Sequence, residues 1–267
     1  MKGISNTLRT LRYAALVGIQ DFRAAYTWRT WLSGWLVRVL AQVVFFAFVG
    51  SLLRSHERTY YLLIGNTTML ASISALLVIS WTTWERRAGT LSLLIAAPTS
   101  ALPVLLGRSV QWVVDGALIS SIAFYGVGLL FRLPMRWPNV LLVAPLLVVV
   151  AATTYMFGAF LAALVLQRIG VRNLAFNITY LAMMSICGVN VPVTFLPGWL
   201  QTLANLLPLT HGLNAIRALL SGSPVAAVVG SLGMEVGVGL GWLTLAILVF
   251  GVTLEKTRMD GSLEFAD

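Results

Sequence analysis

Residues Pro138–Leu166 read PNVLLVAPLLVVVAATTYMFGAFLAALVL, 29 residues without a charged side chain. A helix needs about 20 mostly apolar residues to cross a hydrocarbon layer of about 30 Å, so this stretch predicts a membrane-spanning helix. Working outward, comparable runs lie at Trp31–Leu53, Tyr60–Trp81, Ser109–Phe131, Leu174–Val191 and Val225–Leu254. The expected fold is therefore an all-α membrane protein of six transmembrane helices. Composition agrees: of 267 residues 58% are hydrophobic and 10% charged, against about 25% charged in soluble domains.

The charges are placed like topology signals. The formal net charge is +9, but the arginines stand singly or in pairs between apolar runs, with no basic stripe for nucleic acid. With the N-terminus inside, twelve of the 18 basic residues fall on inner segments and five on outer ones, Arg38 lying within the first span. Cytoplasmic lysine and arginine are enriched in membrane proteins, so both termini are expected in the cytoplasm, with the chain multi-pass in the plasma (inner) membrane. The single cysteine, Cys187, lies in an apolar run and reads as a packing residue. The first apolar run lacks a small-residue cleavage site and reads as an uncleaved span.

Three joints are too long or too patterned for plain loops. In residues 7–29, Leu8, Leu11, Ala15, Ile19, Phe22 and Tyr26 recur at helical spacing, interrupted by Arg9, Arg12, Asp21 and Arg23. This predicts an amphipathic helix on the inner membrane surface, within a cytoplasmic N-terminus at residues 1–30. Residues 31–254 form the six-span domain and 255–267 a cytoplasmic tail. The second joint runs from Trp84 to Arg108. The third, Pro192 to Pro224, holds four prolines among semi-apolar pieces too short to span, and predicts short re-entrant outer helices over residues 194–220.

Several activities lack their residues. The only lysines, Lys2 and Lys256, do not follow glycine, so no P-loop for ATP exists. No potassium-channel filter and no deep acid cluster for a proton relay occur. Both histidines, His56 and His211, fall in predicted outer segments, away from any intramembrane nucleophile or metal. The chain is not expected to be an enzyme, and it has no catalytic, metal or cofactor residues to assign.

The inner joint reads WERRAGTL over residues 84–91, LLIAAPTS over 93–100 and LGR over 106–108; the outer joint carries Val191-Pro192, LPGWL over 196–200, LPLTH over 207–211 and AIRAL over 215–219. Together they resemble the type-2 (ABC-2) permease family of ATP-binding-cassette exporters, in its drug- and antibiotic-exporter branch. The likeness covers nearly the whole chain, with a departure at Arg87 and Ser92, where family members often carry acidic residues. It implies a coupling helix over residues 85–97 between spans 2 and 3, with Glu85, Arg86, Arg87, Gly89, Thr90 and Leu93 meeting the ATPase. It also implies two separate ATPase subunits that bind ATP and Mg, and a second permease chain, identical or homologous. The substrate would be amphipathic: a drug, an antibiotic or a lipid-like molecule. Export of a cell-envelope glycan or lipid, or a regulatory subunit that transports nothing, stays open beside it.

By the same resemblance spans 2 and 5 line the substrate path, through Thr67 and Ser74 on one and Asn177, Tyr180 and Met184 on the other. Their spacing puts each set on one helix face; ordinary packing with polar contacts is the alternative. Arg38 and Asp115 lie at matching depths in spans 1 and 3, so they either form an intramembrane ion pair or satisfy themselves separately. Glu235 reads as an interfacial carboxylate, and Gly233, Gly237 and Gly241, four apart, as a close-packing stripe.

Overall fold

The computed structural model describes residues 2–52, 54–87, 89–90, 93–94, 101–131, 137–166 and 169–260. Among them are helices and turns with no strand. We label the helices α1 (Lys2–Ala25), α2 (Trp28–Leu52), α3 (His56–Glu85), α4 (Ala101–Leu130), α5 (Asn139–Val165), α6 (Arg172–Ile186), α7 (Gly198–Leu206), α8 (Thr210–Ser221) and α9 (Val225–Asp260). Side-chain oxygens start two of them: Thr27 accepts from the Thr30 N–H at 3.3 Å and Ser55 from the Arg58 N–H at 3.3 Å.

Five helices, α2, α3, α4, α5 and α9, are long and apolar enough to cross a membrane. The expected fifth span is shorter than the sequence suggests. α6 stops at Ile186 after 15 residues, about 22 Å at 1.5 Å per residue. The chain then turns through Gly188 at φ 83°, a conformation that favours glycine. The turn is held from α3: Tyr61 Oη donates to the Gly188 carbonyl at 2.8 Å and Asn66 Nδ2 to Asn190 Oδ1 at 2.9 Å.

α3 is the hub. Every residue from Leu62 to Leu76 is buried, because α2, α4 and α5 pack along it and α6 and α8 close it further. Small residues let the backbones approach. A Cβ on Gly116 of α4 would stand 2.6 Å from the Ala71 carbonyl oxygen. Between α3 and α5, Ser72 and Thr154 share a hydrogen bond of 3.1 Å.

The outer joint folds as the short-helix pair α7 and α8, and the last long helix holds it. Glu235 of α9 is fully buried, which corrects its reading as an interfacial carboxylate. Its Oε1 accepts from Thr153 Oγ1 at 2.6 Å and from the Leu209 N–H at 2.8 Å, and its Oε2 from the Gly212 N–H at 2.8 Å. A carboxylate there satisfies orphan donors at the start of α8 and complements the helix dipole. It also holds Leu209 at φ 90°, a strained conformation for a residue with a Cβ. The end of α7 is closed in the same way: Thr210 Oγ1 donates to the Ala204 carbonyl at 2.6 Å, Trp242 Nε1 to that of Leu206 at 2.8 Å, and the His211 ring bonds Asn205 O at 3.0 Å. With their ends satisfied, two helices too short to span can sit against an apolar bundle.

The glycine stripe on α9 is corrected too. Nothing lies within 4 Å of a Cβ built on Gly233, Gly237 or Gly241, whereas one on Gly239 would meet Thr153 of α5 at 2.7 Å. The close approach is through Gly239. α9 runs on to Asp260, so the expected tail from residue 255 begins as a continuation of the last helix.

Candidate functional site

The polar centre of the molecule is an arginine between two carboxylates. Asp21 comes from α1, Glu85 from the end of α3 and Arg108 from the first part of α4. Arg108 Nη2 lies 2.6 Å from Asp21 Oδ2, and its Nη1 2.9 Å from Glu85 Oε2. Thr90, just beyond α3, adds its hydroxyl to both the Glu85 carboxylate and the Glu85 carbonyl. The centre thus ties α1, α3, the joint after α3 and α4 together.

The local sequence explains why α1 reaches Arg108. Ala14 and Gly18 of α1 are buried against α4. A Cβ on Gly18 would stand 2.3 Å from the Arg108 carbonyl oxygen, and one on Gly107 2.6 Å from the Ala14 methyl. Leu8, Leu16 and Ile19 of α1 remain exposed. The apolar face expected along the membrane surface is therefore split: Phe22 and Tyr26 pack edge-on to Trp112 of α4, while Leu8 and Ile19 face outward.

Glu85 is only 4% exposed and its charge is committed to Arg108. This corrects its expected place as a contact offered to another protein: a buried carboxylate needs its cation, and the nearest one is in the same chain. Beyond it, Gly89 takes φ 71° with nothing within 4 Å of a Cβ, and Leu93 is 72% exposed. Among the described residues of the joint, Trp84, Gly89 and Leu93 are exposed. Of the coupling segment expected over 85–97, residues 88, 91–92 and 95–97 and the side chains of Arg86 and Arg87 lie outside the described residues. A cavity of about 670 Å³ opens beside the centre, bordered by Asp21, Trp81, Trp84, Glu85, Arg108 and Arg172.

The residues expected to line a path separate into two groups. Thr67 and Ser74 are buried inside the chain, Thr67 Oγ1 donating to the Leu63 carbonyl at 2.8 Å, because α3 is covered on all sides. They do not face a path at the surface of this chain. Asn177, Tyr180 and Met184 lie on α6, Asn177 exposed and the other two half-buried. Asn177 and Tyr180 border a second cavity, of about 260 Å³, facing α2.

Asp115 and Arg38 do not pair. The Asp115 carboxyl, 5% exposed, accepts from Trp31 Nε1 at 2.7 Å and Trp35 Nε1 at 3.3 Å. Two indoles a helical turn apart on α2 take both its oxygens, while Arg38, almost a turn further on, borders the cavity of Asn177 and Tyr180. Among the described residues both ion pairs belong to Arg108. Sequence reasoning did not join Asp21 to Arg108; the available signal was one acid in a helix whose other charges are basic, and one arginine opening an apolar span.

Two comparisons bear on this geometry. A family model described as ABC-2 type transporter matches residues 21–221, from Asp21 of the polar centre to the end of α8. No curated protein matches the chain.

Proposed function

Because the chain belongs to the ABC-2 type transporter family, whose members are membrane permeases without an ATPase site of their own, we propose that it is the permease subunit of an ATP-driven exporter. Two such chains, identical or with a homologous sibling, would work with two separate ATPase subunits that bind the ATP and Mg. They would move an amphipathic drug, antibiotic or lipid-like molecule across the plasma membrane, both termini being cytoplasmic and α1 lying on the inner surface.

The observation that carries this reading is the Asp21–Arg108–Glu85 centre beside an exposed joint. A push on Gly89–Thr90 reaches the end of α3 through the two Thr90 hydrogen bonds to Glu85. It passes to α4 and α1 through the Arg108 pairs. Three elements are thereby moved by one contact, which is what an ATPase must do to a membrane bundle that has no ATP site. The exposed apolar faces of α1 fit a helix lying in a headgroup layer.

The test is co-expression of the full chain with a candidate ATP-binding-cassette ATPase subunit, with Leu93→Cys for cross-linking. A stable complex, nucleotide turnover only in that complex, and a Leu93→Cys cross-link to the ATPase are expected. Nucleotide turnover by the chain alone, or a cross-link from the α7–α8 pair in its place, would overturn the reading.

A further inference from the structure

The cavity between α2 and α6 borders an exposed cation, Arg38, that has no ion-pair partner among the described residues. Arg38 lies in the N-terminal half of α2, about 15 Å along it, within a helix long and apolar enough to span a membrane. An arginine at such depth normally pairs, or faces a polar cavity. No carboxylate borders the cavity around it, the nearer acid Asp115 is taken by two indoles, and both ion pairs among the described residues belong to Arg108.

The neighbouring polar groups are Gln42, Asn177 and Tyr180. Tyr180 Oη donates to Gln42 Oε1 at 3.2 Å, which fixes the amide with its Nε2 buried and without an acceptor. Gln42 borders the same cavity. Opposite these polar groups the wall is apolar, built from Trp35, Val39, Ile73 and Phe176. At about 260 Å³ the space suits a small head group with the start of a chain.

We propose that this cavity is an anion subsite, taking the phosphate, sulfate or carboxylate group of an amphiphile. Arg38 is its charge contact, and the aromatic wall receives the tail. Taken as a cargo site, this rests on the exporter reading and gives its substrate class; an anionic membrane lipid has the same chemistry and could be a resident occupant.

The full chain in nanodiscs of phosphatidylcholine would be titrated with decyl phosphate, decyltrimethylammonium and decyl maltoside. Decyl phosphate should bind best. Arg38→Gln should weaken it about tenfold through loss of a charge-assisted contact, and Arg38→Lys should keep most of the affinity. Decyl maltoside binding, unchanged across the variants, controls for folding. Equal binding of decyl phosphate by the wild type and Arg38→Gln, or equal binding of the phosphate and ammonium probes, would overturn the subsite. The two sources separate by measuring anionic phospholipid that co-purifies with the chain. A loss in Arg38→Gln identifies a resident lipid; no loss, with decyl phosphate stimulating the ATPase complex, identifies cargo. Because binding is measured without any ATPase, a chain that binds decyl phosphate through Arg38 but is not driven by ATP leaves the subsite standing and overturns only the exporter reading.

Discussion

The Glu235 centre and the Arg108 centre solve one problem, charge inside an apolar bundle, in opposite ways. At Glu235 a fully buried carboxyl meets only hydrogen-bond donors, two of them backbone N–H groups at the start of α8. The two N–H groups are fixed by the backbone, and the Thr153 hydroxyl also reaches the Val149 and Val150 carbonyls. At Arg108 a mostly buried cation, 21% exposed, meets two carboxylates from separate helices, beside a cavity of about 670 Å³. Side-chain pairs of that kind can part and re-form with solvent near by. The difference teaches that the first centre fastens a fold and the second joins parts that move.

The sharpest way to break the comparison is to remove Glu235. Glu235→Ala leaves the Leu209 and Gly212 N–H groups without an acceptor, at about 1–3 kcal/mol each, while the Thr153 hydroxyl keeps the Val149 and Val150 carbonyls, so a loss of a few kcal/mol is expected. It should appear as a lower unfolding temperature and poor recovery of monodisperse protein in detergent. Glu235→Gln keeps one acceptor oxygen and should fall between. If Glu235→Ala proves as stable as the wild type, the fastening role is wrong.

Removing Arg108 should cost less in stability. Arg108→Ala strands the buried Glu85 carboxylate, and uncompensated buried charge is destabilising by about 3 kcal/mol. Glu85→Gln in the same chain removes that charge, so the double variant should regain part of the loss; strictly additive unfolding shifts would show that the pair is not coupled. Asp21→Asn should do least. Its side chain is 37% exposed, and exposed pairs are worth about 0–1 kcal/mol. Limited proteolysis should show α1 released more readily at low salt, the gap from the wild type narrowing in high salt as the wild-type pair is screened; unchanged cleavage would mean that Ala14 and Gly18 hold α1 unaided.

Much of this was legible in the sequence and some of it was not, for reasons the residues show. Apolar run length marks α2, α3, α4, α5 and α9, because crossing hydrocarbon needs length whatever the neighbours. Prolines and short apolar pieces mark α7 and α8 for the same reason. Run length misleads at α6: Cys187–Val191 is as apolar as a span, but Tyr61 and Asn66 hold the Gly188–Asn190 turn open, and those donors lie over 120 positions away in the chain. Matched depth suggested that Arg38 would meet Asp115, because charge is visible in sequence while the N–H of a tryptophan is easily read as mere bulk. Thr67 and Ser74 kept their periodicity but lost their surface, since a stripe of spacing does not show how many neighbours a helix has. Glu85 carried its charge into the right region, but toward Arg108 rather than outward.

The central claim is that the Arg108 centre transmits the work of a separate ATPase to the membrane bundle. The direct measurement is the number of substrate molecules exported per ATP hydrolysed by the reconstituted complex, compared between the wild type and Arg108→Gln at matched complex assembly. The account predicts that Arg108→Gln still assembles and hydrolyses ATP while this ratio falls about tenfold, the loss of roughly one charge-assisted contact. A wild-type ratio in Arg108→Gln would contradict it.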